Sequence, residues 1–247
     1  MIPWLIAAGL CLMVAERLFP DQTLAAVPGW WRRVIGVNLL QLGVVLLGAR
    51  TWDVWLLQWS MFDLDARTGV LPAAVICYLL ITLVFYWWHR LRHDLNPLWL
   101  AFHQVHHSPA RIETITSFYK HPLEILVNSL IIGVLNHVIL GCGPETAALV
   151  TLITGLAEFF YHMNIPTPRW VGYIIQRPEM HRIHHKRGYH YKNFADLPLW
   201  DMLFGTFHNP PRTDTPCGFR PERETRLVPM LLFQNVNDPL PRRRQAG

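Results

Sequence analysis

Five apolar runs divide the chain, each bounded by charge or by Gly and Pro. Residues 2–19 are long enough to span a bilayer, and their Glu16-Arg17 end has no small-residue cleavage site, so the run reads as a retained anchor. A second run, 34–47, follows Arg32-Arg33 and is extended by a stretch spaced with Trp52, Trp55 and Trp59. The third, 71–88, closes on Tyr86-Trp87-Trp88, aromatic residues suited to a membrane interface. Runs 123–140 and 146–160 form a hairpin across Gly141-Cys142-Gly143-Pro144; both are short, and the last carries Glu158, which points to a span that is tilted, partly re-entrant or packed against protein rather than lipid. From Tyr161 onward the chain is polar and punctuated by Pro, the pattern of short helices and loops. It ends in a basic tail, 235–247, containing Arg242-Arg243-Arg244.

This pattern predicts an all-α membrane protein of four to five membrane helices with a histidine-rich cap on one side. Residues 1–70 supply anchor helices and a loop, 71–210 the catalytic part, and 211–247 a polar basic tail. Composition agrees, since 51% of the 247 residues are hydrophobic, 16% are charged and 11 are Trp. A pI near 9.2 raises nucleic acid as a partner, but the cations form no stripe and no nucleic-acid motif is present. The excess is read instead as topology. Arg17, Arg32, Arg33, Arg90, Arg92, Arg111 and Lys120 share one side, whereas the opposite loops hold only Arg50 and Arg67, which places the histidines in the cytoplasm; the expected setting is a bacterial inner membrane. Cys11, Cys77, Cys142 and Cys217 are dispersed and indicate neither a disulfide framework nor a Cys-ligated zinc.

The candidate chemistry lies in three histidine clusters: His89 and His93 spaced i, i+4; His103, His106 and His107; and His181, His184 and His185. Residues three and four apart share a helix face, so each cluster can aim its imidazoles at one point. A lone His in an apolar protein is a packing residue by default, the reading taken for His137, His190 and His208. The eight clustered rings exceed the three or four that one zinc or iron site takes, which calls for two metal ions. Imidazole suits Fe, Zn, Cu and Ni alike, and neither HExxH nor HxxEH occurs.

The order HxxxH, HxxHH, HxxHH among four or five spans resembles the fatty acid hydroxylase and sterol desaturase superfamily of membrane di-iron oxygenases. The likeness extends through Phe160-Tyr161-His162-Met163-Asn164, through Pro178-Glu179-Met180 and through 199–207, where Trp200, Asp201, Gly205 and Thr206 stand. It implies two iron ions and O2 as co-substrate. It also implies His162 as a ninth ligand, with Pro166 standing where some members place a further His and water or Asn164 filling that gap. His121, in His121-Pro-Leu-Glu124, recurs in bacterial members and is expected near the metals. Asp94, Glu158, Glu179 and Asp201 are candidates to orient the ligands. Glu158 lies four residues before His162 and would share its helix face.

The implied reaction is hydroxylation or desaturation of an unactivated C–H bond in a lipid. Electrons would come from a ferredoxin or cytochrome b5 type donor with an NAD(P)H-dependent reductase, since the sequence has neither a dinucleotide fingerprint nor a haem or iron–sulfur pattern. The stretch 162–207 looks closer to bacterial members than to sphingolipid hydroxylases, which favours a polar lipid. The alternative class is a membrane zinc hydrolase or a metal transporter. A transporter would place its ligands near mid-bilayer, whereas these clusters fall at span ends.

Overall fold

The computed structural model describes residues 2–237, so the basic tail expected at 242–244 lies outside the described residues. Every regular element among them is helical apart from one isolated bridge between Lys186 and Cys217. The long helices are α1 (Ile2–Leu18), α2 (Trp30–Gly48) with the short α3 (Trp52–Leu56) and α4 (Leu64–Thr68) after it, and α5 (Val70–Asp94). The one-turn α6 (Asn96–Leu98) is followed by α7 (Pro122–Gly133), which continues as a π-helical segment (Val134–Ile139), and by α8 (Pro144–His162). The cap adds α9 (Pro178–His184), α10 (Pro198–Leu203), α11 (Pro221–Glu224) and α12 (Leu227–Leu231). Helices α6 to α11 each begin with Pro in the first turn, where its missing N–H leaves no intrahelical bond unmade.

Among the described residues three segments, Trp30–Leu56, Val70–Asp94 and Pro122–Ile139, are long and apolar enough to cross a membrane. The four to five expected spans reduce to these three by length and composition. Helix α1 has 17 residues, and α8, although 19 residues long, carries Glu145 and Glu158. Both run in the bundle, α1 packing on α8 and α8 on α5. Large apolar side chains stay exposed along the outside, Leu71 at 70%, Leu39 at 62% and Val75 at 59%, an apolar surface suited to lipid.

The two ends of the bundle differ in kind. At one end Asp65 accepts from Gly143 N–H (2.7 Å) and Thr146 Oγ1 (2.8 Å), fastening the start of α8. The buried thiols of Cys77 and Cys142, 65 positions apart, meet there at 2.8 Å. At the other end the C-termini of α1, α5 and α8 enter the cap. Glu16, fully buried, accepts from Thr114 N–H (2.9 Å), Thr114 Oγ1 (2.9 Å) and Asn164 N–H (3.0 Å). Trp30 donates its indole N–H to Glu113 at 2.9 Å. A single apolar cluster joins Trp30, Val34 and Val37 of α2 to Val105 and Tyr119 of the cap and to Phe219, Met230 and Val236 further along, so the first and last parts of the chain share the cap's core.

Replacing Glu16 by Leu removes the acceptor of two buried backbone amides, at a cost of about 2–4 kcal/mol. The expected result is a clear drop in the thermal midpoint of detergent-solubilised protein, partly restored in Glu16→Gln; an unchanged midpoint for Glu16→Leu would contradict it.

Candidate metal centre

His89 and His93 occupy the last turns of α5, where i, i+4 spacing puts both rings on the face turned to the cap. Trp99–His103 is a π-helical turn, and His106 and His107 follow in the turn beyond it. Wider turns of this kind recur at functional sites because they redirect side chains. His162 is the last residue of α8, and α9 carries His181 and His184, with His185 as its C-cap. These nine rings form two groups. One holds His89, His93, His103, His107 and His184, the other His106, His162, His181 and His185, with the ligand atoms of each group within 4.8 Å of one another.

The two HxxHH clusters divide between the groups in opposite senses. The first sends its i, i+4 pair, His103 and His107, to the larger group and its middle ring, His106, to the smaller. The second sends His181 and His185 to the smaller group and His184 to the larger. The groups touch where the rings of His107 and His185 stack at 4.2 Å. Segment 217–219 fixes the two clusters relative to each other, since Gly218 N–H donates to the His185 carbonyl (3.1 Å) and Phe219 N–H to that of Ser108 (3.0 Å). Gly218 has φ of 66°, and a Cβ there would overlap the Pro109 carbonyl.

Hydrogen bonds set the tautomers. Nδ1–H of His89 donates to the Phe194 carbonyl (2.7 Å), that of His106 to Tyr119 (3.4 Å), that of His162 to Glu158 (2.8 Å) and that of His184 to Lys192 (2.9 Å). A carbonyl only accepts, so Nδ1 carries the proton and Nε2 presents a lone pair inward. His103 Nδ1 faces the Glu124 carboxylate at 3.2 Å, and Glu124 is itself paired with Arg92. The side-chain amide of Gln176 meets His181 Nδ1 at 2.9 Å.

These orientations fit metal ions. The Nε2 atoms of His89, His93, His103, His107 and His184 are buried with no hydrogen-bond partner. In the smaller group Nε2 of His162 lies 3.4 Å from that of His106 and 3.0 Å from that of His181, which is 3.0 Å from that of His185. With metal–nitrogen bonds of about 2.1 Å, neighbouring ligands around one cation stand about 3.0–3.4 Å apart, for octahedral through tetrahedral angles. Burial pushes the imidazoles of His103, His106, His107, His181 and His185 well below their ordinary value, and that of His184 down to about 3, with neighbouring rings adding to the effect. Neutral imidazole is the ligating form.

The other candidates sit elsewhere. His121 caps α7, its Nδ1 accepting from Leu123 N–H at 3.1 Å. The Glu158 side chain pairs with Lys120, and it is the backbone carbonyl of that residue that meets His162. Asn164 donates to the Gln22 carbonyl (2.7 Å) and accepts from Arg182 (2.5 Å). Asp201 accepts from Phe194 N–H (2.8 Å), Ala195 N–H (3.0 Å) and Thr206 Oγ1 (2.6 Å), so it holds the loop whose carbonyl orients His89. Glu179 binds Thr167 and Arg177, and Asp94 is exposed beside Arg90. His137 donates to the Cys142 carbonyl (2.8 Å), at the opposite end of the bundle. His190, read as a packing residue, belongs to neither group, yet it stacks on His93 at 5.2 Å. The sequence reading did not single out Glu124, Arg92 or Gln176. Only Glu124 had a signal, its place in the His121-Pro-Leu-Glu124 segment.

The fatty acid hydroxylase family model matches residues 74–206, more than half of the chain. An ornithine lipid hydroxylase of Rhizobium tropici is 31% identical over 128 residues, 50% of this chain and 38% of that protein. The alkylglycerol monooxygenase of Homo sapiens is 32% identical over 127 residues, 50% of this chain and 28% of its own length. The cholesterol 25-hydroxylase of Mus musculus is 27% identical over 159 residues, 60% and 51% respectively. The chain thus spans well under half the length of the first two relatives. No solved structure matches it.

Rings held neutral by the fold and titrating near 6.5 when unfolded make the unfolded chain bind more protons as pH falls below 6.5, a window that extends to about 3 for His184. Each such ring costs at most about 1.4 kcal/mol of stability per pH unit within that window. Chelator-stripped protein is therefore expected to show a thermal midpoint that is flat above pH 7 and falls steeply between pH 6.5 and 5; a level midpoint across that range would mean that the rings protonate freely in the fold.

Proposed function

The chain belongs to the fatty acid hydroxylase family, and from that premise we propose that it is a membrane oxygenase that hydroxylates an unactivated C–H bond of a lipid, using O2 and electrons supplied by a partner. The observation that carries this reading is the pair of buried, all-nitrogen groups, five rings and four, sharing both HxxHH clusters. The named relatives support the choice of reaction, since they are hydroxylases or monooxygenases of an ornithine lipid, alkylglycerol and cholesterol. Hydroxylation is accordingly preferred to desaturation.

In this reading His89, His93, His103, His107 and His184 hold one iron, and His106, His162, His181 and His185 the other. Two iron ions bound there would supply the reduction of O2 and the removal of hydrogen from carbon. The protein supplies the geometry. Carbonyls of Phe194, Tyr119, Glu158 and Lys192 lock four rings with Nε2 inward, and the Glu124–Arg92 pair holds His103 by its Nδ1, with its Nε2 inward. Burial keeps the rings of both HxxHH clusters neutral, the form that binds a metal. A hydrolase would need a free carboxylate base at the metal. Glu124, the carboxylate in contact with these rings, is instead ion-paired with Arg92.

The electron donor is of ferredoxin or cytochrome b5 type, served by an NAD(P)H-dependent reductase. The protein lies in a bacterial inner membrane with the cap in the cytoplasm, a reading supported by Arg90, Arg92, Arg111, Lys120, Arg177, Arg182 and Arg187 on the cap side against Arg50 and Arg67 on the other.

Purified without a histidine tag, the protein is expected to carry about two iron per chain. His184→Ala should lower turnover per folded molecule by about 100-fold or more together with metal content, while His137→Ala keeps most of both. Zinc as the only bound metal in an active preparation, or near-full turnover of His184→Ala with two irons retained, would overturn the assignment.

Single cysteines introduced at the exposed positions Asp63 and Glu145 should react with an impermeant maleimide on intact cells, whereas one at Arg212 should react only after permeabilisation. The reverse pattern would invert the topology.

A further inference from the structure

A cavity of about 650 Å³ reaches the larger histidine group from the surface of the cap, and His93, Trp99, His190 and Phe219 line it. Its size is that of a small-molecule site. The charge around it is one-sided. Arg187, Arg220 and Arg223 line it against one carboxylate, Asp94, which lies 3.6 Å from Arg90.

The arginines are presented differently. Arg187 is fixed by the carbonyls of Cys217 (3.2 Å), Gly218 (3.1 Å) and Phe219 (2.9 Å), the segment that joins the two HxxHH clusters, and its Nη1 makes no bond among the described residues. Arg223 donates from Nη1 to the Asn237 carbonyl. The exposed Arg220 side chain makes no hydrogen bond or ion pair among the described residues. His190 adds a second kind of group. Its ring packs between His93 (5.2 Å) and His107 (5.0 Å), and its Nδ1 is buried without a partner, a polar atom that protein packing leaves unsatisfied.

We infer that this recess is the headgroup subsite of the proposed oxygenase, taking a lipid whose headgroup bears a phosphate or a carboxylate, with Arg187, Arg220 and Arg223 as its anion contacts and His190 Nδ1 as a hydrogen-bonding partner. Guanidinium groups bind such oxyanions through charge-assisted bonds, often two at a time. Because the recess shares His93 with the metal group, a headgroup seated there brings the carbons next to it toward the metals. The hydroxyl is therefore placed within a few carbons of the headgroup, not at the far end of the chain. The inference rests on the oxygenase reading above.

The test uses the full chain in detergent micelles and lipids of one acyl-chain length: phosphatidic acid, an N-acyl amino acid and a neutral monoacylglycerol, with inorganic phosphate alone as a fourth probe. Anionic lipids should bind about tenfold or more tightly than the neutral one. Arg220→Gln/Arg223→Gln should abolish that preference with metal content unchanged. Arg67→Gln, at an exposed arginine of α4, should not alter it. The tighter of the two anionic lipids identifies phosphate or carboxylate as the headgroup. Equal binding of neutral and anionic lipids, an unaffected double variant, or inorganic phosphate binding as tightly as the lipids would overturn the subsite. Product analysis separates this failure from that of the function. Oxygenation of the neutral lipid with the arginine pair irrelevant sinks the subsite alone. Arginine-dependent binding without oxygenation of any lipid by reduced, iron-loaded protein keeps the subsite and sinks the oxygenase reading.

Discussion

Nine imidazoles can be packed this closely only if each stays neutral, with its ring turned so that a nitrogen faces the shared centre. Backbone carbonyls answer that constraint at four positions, Phe194, Tyr119, Glu158 and Lys192, by accepting Nδ1–H and leaving Nε2 bare. In the smaller group the inward Nε2 of His162 lies 3.0 Å from that of His181, which is as far from that of His185. Ring nitrogens that converge at the spacing of ligands around one cation fit a centre built around metal.

Much of the cap can be read as scaffolding for those carbonyls. Asp201, at the start of α10, ties down the backbone of Phe194 and Ala195 and so fixes the acceptor of His89 without touching a ring itself. Glu124 reaches His103 from the first turn of α7, and Arg92 from α5 holds Glu124, which links two membrane segments through one ligand. Glu16 does similar work at a distance, joining α1 to the Thr114 and Asn164 backbones on either side of the centre. Buried carboxylates of this kind are costly unless fully bonded, and their retention here goes with the need to hold loops in a fixed place.

The reciprocal division of the HxxHH clusters gives the centre its rigidity. Each cluster is a single local piece of chain that contributes to both groups, so neither group can shift without moving the other. The bonds from Gly218 and Phe219 to the carbonyls of His185 and Ser108 close this arrangement from outside. The same segment anchors Arg187, so the recess beside His93 is built on the frame that spaces the clusters.

Sequence alone determined the features that depend on local spacing. Apolar runs announced the long helices, and the i, i+4 intervals announced the pairs that share a group, His89 with His93, His103 with His107 and His181 with His185, whereas the i, i+3 rings His106 and His184, expected at the same point as their clusters, join the opposite group. Which ring joins which group was a tertiary decision, since His107 meets His184 and His106 meets His181 across more than seventy residues. The orienting partners were equally hidden. Glu158 lies at the right interval from His162, yet its carboxylate turns to Lys120 and its carbonyl does the orienting. Every residue has a carbonyl, so no side-chain pattern marks the ones that matter. Only the folded path of the backbone brings those of Phe194, Tyr119 and Lys192 against the rings.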